Sequence, residues 1–237
     1  MKPEYKRILL KLSGEGLSGG SGFGINHSVV TALAESIAEA HYLGVQICVV
    51  IGGGNFFRGV KNSAAYMDRS IADQVGMLAT VMNALTIRSA LESISCPAAI
   101  FSGLDVPQVC ERYNFRGAVS ALEQNKVVIF SAGTGSPYFT TDTGAVLRAL
   151  EMHCDAVFKA TQVDGVYSAD PRFNPEAVRF DNISYADIMA KHLKIMDMTA
   201  IALAEENNLP IVIFSQAEKN GIIKAICGQA KSTTIKK

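Results

Sequence analysis

The segment Gly133-Thr134-Gly135-Ser136-Pro137-Tyr138-Phe139-Thr140-Thr141-Asp142 gathers small residues, hydroxyls and one acid directly after the apolar run Val127-Val128-Ile129-Phe130. A strand that ends this way and enters a helix offers backbone N–H groups and Ser or Thr oxygens to an anion. An ordinary connection closed by a Thr or Asp helix cap has the same composition, so this segment alone leaves both readings open. Three more segments share its character: Lys11-Leu12-Ser13-Gly14-Glu15-Gly16, Gly52-Gly53-Gly54-Asn55-Phe56-Phe57-Arg58-Gly59, and the stretch from Lys159-Ala160-Thr161 through Asp164-Gly165-Val166-Tyr167 to Asp170-Pro171. One such loop would mean little, but four make a nucleotide site the leading reading.

The chemistry open to these loops is narrow. No G-x-x-x-x-G-K-[ST] is present, and Phe57 stands where a dinucleotide fingerprint needs its third glycine. What remains is a set of glycine cradles beside two cations, Lys11 and Arg58. Phosphoryl transfer asks for in-line positioning and neutralised charge more than for covalent chemistry, and Lys, Arg, N–H groups and Mg²⁺ supply both. Lys11 ends an apolar strand just before Ser13-Gly14 and can reach a phosphate there; a solvated strand-end lysine is the bland alternative. Arg58 brings a planar fork suited to phosphate, or is a surface loop arginine. Asp73, with Gly76, Met77, Ala79 and Met82 nearby, could hold a ribose hydroxyl or be a plain helix-surface acid. Asp142 and Asp170 could assist a metal or a ribose, or serve as helix-start and Asp-Pro turn residues. The histidines His27, His41, His153 and His192 occupy unrelated contexts, and no nucleophile–base pair is suggested. Met196-Asp197-Met198 reads as core lining, with Asp197 opening a helix that faces a ligand edge. Ser18–Gly24 is either a plain linker or a mobile loop touching a ligand or a neighbouring subunit.

The elements that must hold these residues alternate. Apolar β-like runs cover Arg7–Leu12, Val45–Ile51, Ala98–Phe101, Val127–Ser131, Ala156–Lys159 and Ile211–Phe214. Helical patterns cover Ser28–Leu43, Asp68–Ser93, Ala118–Gln124, Thr143–Met152, Tyr185–Ala190, Asp197–Asn207 and Asn220–Cys227. Gly44 stands where a terminating glycine belongs, and Pro210 follows a later helix. The pattern predicts an α/β fold: a mostly parallel central sheet covered by helices on both faces, a three-layer αβα sandwich. In such sheets ligands bind outside the carboxyl ends of the strands, where the four glycine-bearing loops fall.

The 237 residues carry 49% apolar and 19% charged side chains with zero formal net charge, which describes a globular chain without a general nucleic-acid-binding surface. Five scattered cysteines, none in C-x-x-C, argue against a disulfide framework or zinc cluster and fit a reducing compartment. No signal peptide is visible, and no apolar run approaches the roughly 18 residues of a membrane span. A soluble, cytoplasmic protein is expected.

The quoted residues also carry a family resemblance. Lys11–Glu15, Ile51–Asn55 with Arg58-Gly59, Gly76-Met77-Leu78-Ala79-Thr80-Val81-Met82-Asn83, Thr134–Asp142 and Lys159-Ala160-Thr161 with Asp164-Gly165-Val166 resemble, in order and over nearly the whole chain, the bacterial uridylate kinases of the amino acid kinase fold. The glycine triplet is shared widely across that fold, whereas Met77–Asn83 and Thr134–Asp142 point to the uridylate branch. The resemblance implies a single domain over 1–237, its half to about 150 binding UMP and its half from about 151 binding ATP. It implies transfer from ATP to UMP with Mg²⁺ carried by the nucleotide, in a homohexamer. By matching position, Lys11, Leu12, Ser13, Gly14, Gly54 and Arg58 would meet ATP phosphates or the transferring group, and Thr161, Tyr167 and Asp170 the adenosine side. Gly53, Asp73, Thr134, Gly135, Ser136, Pro137, Tyr138, Phe139, Thr140 and Thr141 would hold UMP, and Lys11, Arg58 and Asp142 would be catalytic. Many relatives respond to GTP as activator and to UTP as inhibitor. Gly19, Gly20, Ser21, Gly22, Phe23 and Gly24 match the loop tied to the GTP response. Arg88 remains of the expected basic pattern, while Glu92 and Ala99 depart from it. A small-acid kinase of the same fold and a non-catalytic nucleotide-sensing module are the competing readings.

Overall fold

The computed structural model describes residues 2–57 and 67–237, so Arg58 lies outside the described residues. Its centre is a nine-stranded sheet built from β1 (Arg7–Leu12), β2 (Gln46–Ile51), β3 (Ala98–Ser102), β4 (Glu111–Arg112), β5 (Val127–Ser131), β6 (Ala156–Thr161), β9 (Asn182–Ser184), β10 (Ile211–Ser215) and β11 (Ser232–Lys236). A separate hairpin pairs β7 (Val166–Tyr167) with β8 (Arg179–Phe180). The strand order is β4-β3-β5-β2-β1-β6-β10-β11-β9, and β10 with β11 is the antiparallel pair in a sheet otherwise parallel. The six strands read from the sequence are all present. Those it missed are short or, like β11 with Ser232-Thr233-Thr234, mostly polar, and an apolar pattern cannot find them.

Among the described residues seven α-helices cover the sheet: α1 (His27–Tyr42), α2 (Arg69–Ser93), α3 (Phe115–Glu123), α4 (Thr141–Glu151), α5 (Tyr185–Ala190), α6 (Met198–Glu206) and α7 (Gly221–Ile226). Period-2 alternation along the strands divides the core. Ile8, Leu10, Ile47, Val49 and Ile129 pack under α1, α2 and α7, while Leu9, Val50, Val128 and Phe130 pack under α3, α4, α5 and α6. The three-layer αβα expectation is met.

One terminator works as the sequence implies, and one helix start does not. Gly44, at φ +88°, closes α1 with its N–H on the carbonyl of His41. At the other end of the site, α4 starts two residues earlier than its apolar pattern. Its cap is Thr140, whose hydroxyl accepts the N–H groups of Asp142 and Thr143 at 3.0 and 3.4 Å. Asp142 is therefore a first-turn residue and not the cap.

Candidate active site

The four glycine-bearing loops leave β1, β2, β5 and β6, and these are adjacent in the order β5-β2-β1-β6. All four strands are parallel, so the loops emerge side by side at one carboxyl edge. What is scattered over 150 residues of chain becomes one continuous rim.

At its centre lie two lysines and one carboxylate. Lys11 on β1 and Lys159 on β6 are direct register partners. Each follows the odd alternation that points toward α4, as Leu9 and Val157 do. Two like charges opposite each other on neighbouring strands repel. Asp142, in the first turn of α4, stands between them, with Lys11 Nζ 2.7 Å from Oδ1 and Lys159 Nζ 2.8 Å from Oδ2. Lys159 also donates to the carbonyl of Ile195. Lys11 is only 9% exposed, so this is a largely dry cluster with a net charge of +1.

The ionisation states follow from that geometry. Burial pushes the Asp142 carboxyl up, but the ammoniums of Lys11 and Lys159 outweigh it and hold the group below the usual carboxylate range. Burial lowers Lys159 below its ordinary value, with Asp142 acting against that and Lys11 adding to it. Asp142 is thus a fixed anion at neutral pH and not a proton donor. Asp197, which the sequence placed at a helix start on a ligand edge, caps α6 through the N–H of Ala200 at 3.0 Å. It also accepts the hydroxyl of Thr143 at 2.8 Å and that of Thr140. The starts of α4 and α6 are thereby locked together.

On one side of the lysines the glycine triplet follows β2. A methyl at Gly14 would stand 2.4 Å from the carbonyl of Gly52 and 2.8 Å from the nitrogen of Gly54, so the loops after β1 and β2 touch backbone to backbone. A methyl at Gly53 would meet the carbonyl of Gly76 at 2.7 Å and Ala79 at 2.8 Å, which seats the triplet directly on α2. Glycine here is what lets three chain segments meet without side chains between them.

Beyond the triplet opens a cleft of about 260 Å³ lined by Gly53, Asp73, Thr80, Thr134, Thr140 and Thr141, among others. Asp73, Gly76, Met77 and Thr80 recur at helical spacing and give α2 its cleft face, while Met82 turns outward. Gly135, Ser136, Pro137 and Tyr138 lie outside the lining, on the rim. Tyr138 sits at φ +72°, uncommon for a non-glycine residue, and its N–H donates to Asp73 Oδ2 at 2.8 Å. Asp73 also receives Nε of Arg69 at 2.9 Å, and the Arg69 guanidinium lies 5.3 Å from the centre of the Tyr138 ring. Likewise Thr80 takes the N–H of Ala132 at 2.6 Å. Helix α2 therefore anchors the loop after β5 at two points.

Thr161, Tyr167 and Asp170 lie along the chain after β6, each engaged locally: Thr161 with Val163, Tyr167 with Asp164 at 2.6 Å, and Asp170 with Arg172 at 2.7 Å. None of the three lines the cleft described above. Lys159 joins the centre although the sequence alone gives it no role. Its signal was a charge inside an apolar strand, Ala156-Val157-Phe158-Lys159-Ala160.

Comparison with known proteins bears on this edge. Residues 6–215 match the amino acid kinase family. The chain is 51% identical over 236 residues to the uridylate kinase of Hyphomonas neptunium, covering 100% of this chain and 94% of that one. It is 48% identical over 234 residues to the uridylate kinase of Agrobacterium fabrum, covering 99% and 97%. Among solved structures, the UMP kinase of Ureaplasma parvum superposes with a TM-score of 0.94 at 34% identity, over 98% of this chain and 99% of that one. The Bacillus anthracis UMP kinase gives 0.93 at 36% identity, over 98% and 96%. The chain belongs to the amino acid kinase family and, within it, to the uridylate kinases.

Proposed function

We propose that the protein transfers the γ-phosphoryl group of ATP to UMP, giving ADP and UDP. The observation that carries the proposal is the Lys11–Asp142–Lys159 cluster, set between a glycine cradle and a cleft in a chain half identical to uridylate kinases over its full length. An oxygen of the UMP phosphate forms the new bond to Pγ, and the bond from Pγ to the bridging oxygen of ADP breaks. The attacking phosphate oxygen needs no proton removed, which suits a site whose acid is a fixed anion. Lys11 and Lys159 neutralise charge on the transferring group and the leaving phosphates, and Asp142 holds both cations where that charge develops.

Around this centre, Leu12, Ser13, Gly14 and Gly54 take the ATP phosphates, joined by Arg58. Thr161, Tyr167 and Asp170 take the adenosine side. Gly53, Asp73 and the segment from Thr134 to Thr141 receive UMP, Asp73 accepting from a ribose hydroxyl. On this division the chain is one domain, with the UMP-binding groups in the half up to about residue 150 and the adenosine-side groups Thr161, Tyr167 and Asp170 in the half after it. Mg²⁺ enters on the ATP phosphates. Among the described residues no three His, Cys, Asp or Glu side chains converge into a metal cage, and Asp142 is already taken by two ammoniums. That donor set fits an ion held chiefly by nucleotide oxygens, where it spreads the phosphate charge.

Among the described residues no helix is long and apolar enough to cross a membrane. The five cysteines are unpaired, in keeping with a reducing, cytoplasmic setting. Ile71, Leu78 and Met82 leave α2 with an exposed apolar face, which supports assembly with further copies and the hexamer of the family. GTP activation and UTP inhibition are carried over as part of the same proposal.

Steady-state assays with ATP, Mg²⁺ and a panel of UMP, CMP and AMP test it, with GTP and UTP added in turn. UMP should be turned over far faster than the others. Comparable rates with CMP or AMP, or none with UMP, would remove the assignment.

A further inference from the structure

Two asparagines outside the roles assigned above form a closed unit. Asn55, directly after the glycine triplet, is 1% exposed, and Asn83 on α2 is 0% exposed. Each side-chain amide donates to the other's carbonyl oxygen, Asn55 Nδ2 to Asn83 Oδ1 at 3.0 Å and Asn83 Nδ2 to Asn55 Oδ1 at 2.7 Å. The second donor of each amide is also used. Asn83 Nδ2 reaches the carbonyl of Gly52 at 2.8 Å, and Asn55 Nδ2 the carbonyl of Gly24 at 2.9 Å. All four N–H donors are satisfied, so the pair has one low-energy arrangement and resists being rotated.

The contacts converge on backbone and not on substrate. Gly52 is fixed from α2. A methyl at Gly14 would lie 2.7 Å from Asn55 Oδ1, so the loop after β1 rests on the same amide. Gly24, the end of the Ser18–Gly24 segment, is tied from both directions, since its N–H donates to the carbonyl of Asn55 at 2.9 Å. Phe23 adds an edge-to-face contact with Phe56, the ring centres 5.9 Å apart. The segment read from sequence as a linker or mobile loop is thus a strap fastened to the donor cradle.

We propose that Asn55 and Asn83 are positioning residues for phosphoryl transfer, locking the Gly52–Gly54 turn to α2 and coupling its conformation to the strap at Gly24. A turn that must present N–H groups to a phosphate gains from being held before the ligand arrives, because reorganisation is then not charged to each turnover. The pair also gives displacement of the strap a direct route to the cradle, since Asn55 holds Gly24 and Asn83 holds both Asn55 and Gly52. The kinetic consequence rests on the ATP-to-UMP reading; the coupling of strap to cradle does not.

The experiment compares the full-length parent with Asn83→Leu, which removes both Nδ2 contacts at similar volume. UMP-dependent ADP formation by the parent is measured first, and its absence would count against the reaction and not against the coupling. With an active parent, Asn83→Leu should lower kcat/KM for ATP by about tenfold or more while KM for UMP stays within about threefold. Chymotrypsin should also cut the unliganded variant faster at Phe23. Parent-like kcat/KM for ATP, or an ATP defect with cleavage at Phe23 unchanged, would overturn the proposal. Should Asn83→Leu fail to fold, Asn83→Asp keeps the shape. As a protonated acid it retains one donor, and as an anion it has none, so its kcat/KM for ATP should fall, relative to the parent, as pH rises from about 6 to 8. A pH profile parallel to the parent's would refute the role.

Discussion

Replacing Asp142 by Asn isolates what the central carboxylate does, because the substitution keeps shape and removes one charge. In the folded protein it would leave Lys11 and Lys159 facing each other across neighbouring strands without the carboxylate that now lies within 2.8 Å of each, only the more distant Asp197 still acting on Lys159. Breaking a buried ion pair from one side costs about 3–5 kcal/mol. An independent ceiling comes from the lysines themselves, since the protein can relieve the repulsion by releasing one proton. With an ordinary lysine value near 10.4, that release costs about 4.6 kcal/mol at pH 7 and about 1.9 kcal/mol at pH 9. The two estimates agree, and the second adds a pH signature. Chemical denaturation of parent and Asp142→Asn should give a stability loss of about 3–5 kcal/mol at pH 7, shrinking to about 2 kcal/mol at pH 9. Lys159 is the group that should deprotonate, as burial already lowers it. In the parent Asp142 is ionised at both values, held below the usual carboxylate range against its burial. Turnover should fall by about a hundredfold or more at pH 7, with the fold retained. A loss under about 1 kcal/mol at pH 7, or one that does not shrink at pH 9, would refute the idea that Asp142 exists to hold two cations together.

Two further perturbations probe other parts of the molecule. Asp73→Asn leaves an acceptor for the Tyr138 N–H but ends the ion pair with Arg69 and weakens any bond to a ribose hydroxyl. KM for UMP should rise about tenfold or more with kcat within about threefold, and an unchanged KM would remove Asp73 from the acceptor site. His41, buried near the end of α1, is lowered from its ordinary value by burial, with the backbone of Asn125 and Val45 acting the other way. The unfolded chain therefore binds this proton more readily than the folded one. Its contribution is intact above about pH 6.5 and erodes below it, by at most about 1.4 kcal/mol per pH unit. His41→Phe should flatten that part of the stability curve in denaturant titrations, and an identical pH slope would show that other groups set it.

How far the sequence reaches is clearest at the two lysines. Each strand is legible from its apolar run, and Lys11 stood out by ending one just before Ser13-Gly14. Lys159 carried the same kind of signal but went unassigned, because nothing linear says that β6 lies against β1. That adjacency comes from a chain that visits β2, β3 and β5 on one side before crossing to the other. The register Lys11 to Lys159 is a property of the pairing, and neither segment holds it alone. From its residues alone Asp142 reads as a metal or ribose helper or a helix-start acid, its catalytic role coming only from the family resemblance, and its position two residues inside α4 explains why. A first-turn acid is common at helix starts, and only the two ammoniums beside it distinguish this one. Asn55 and Asn83 were both within quoted motifs, yet an asparagine pair separated by 28 residues leaves no periodic trace.

The register of β1 also sets how this chain can vary in length. Side chains alternate faces along a strand, so adding or deleting one residue between Arg7 and Lys11 would send the ammonium from the α4 side to the α1 side of the sheet. The N–H groups of Lys6 and Arg7 are pinned to Asp155 Oδ2 at 2.6 and 3.0 Å, which fixes the strand's entry and blocks slippage as a remedy. Length changes within β1 should therefore be excluded among functional variants. The strap at Ser18–Gly24, which feeds no strand directly, can absorb them at the cost of its grip on Asn55.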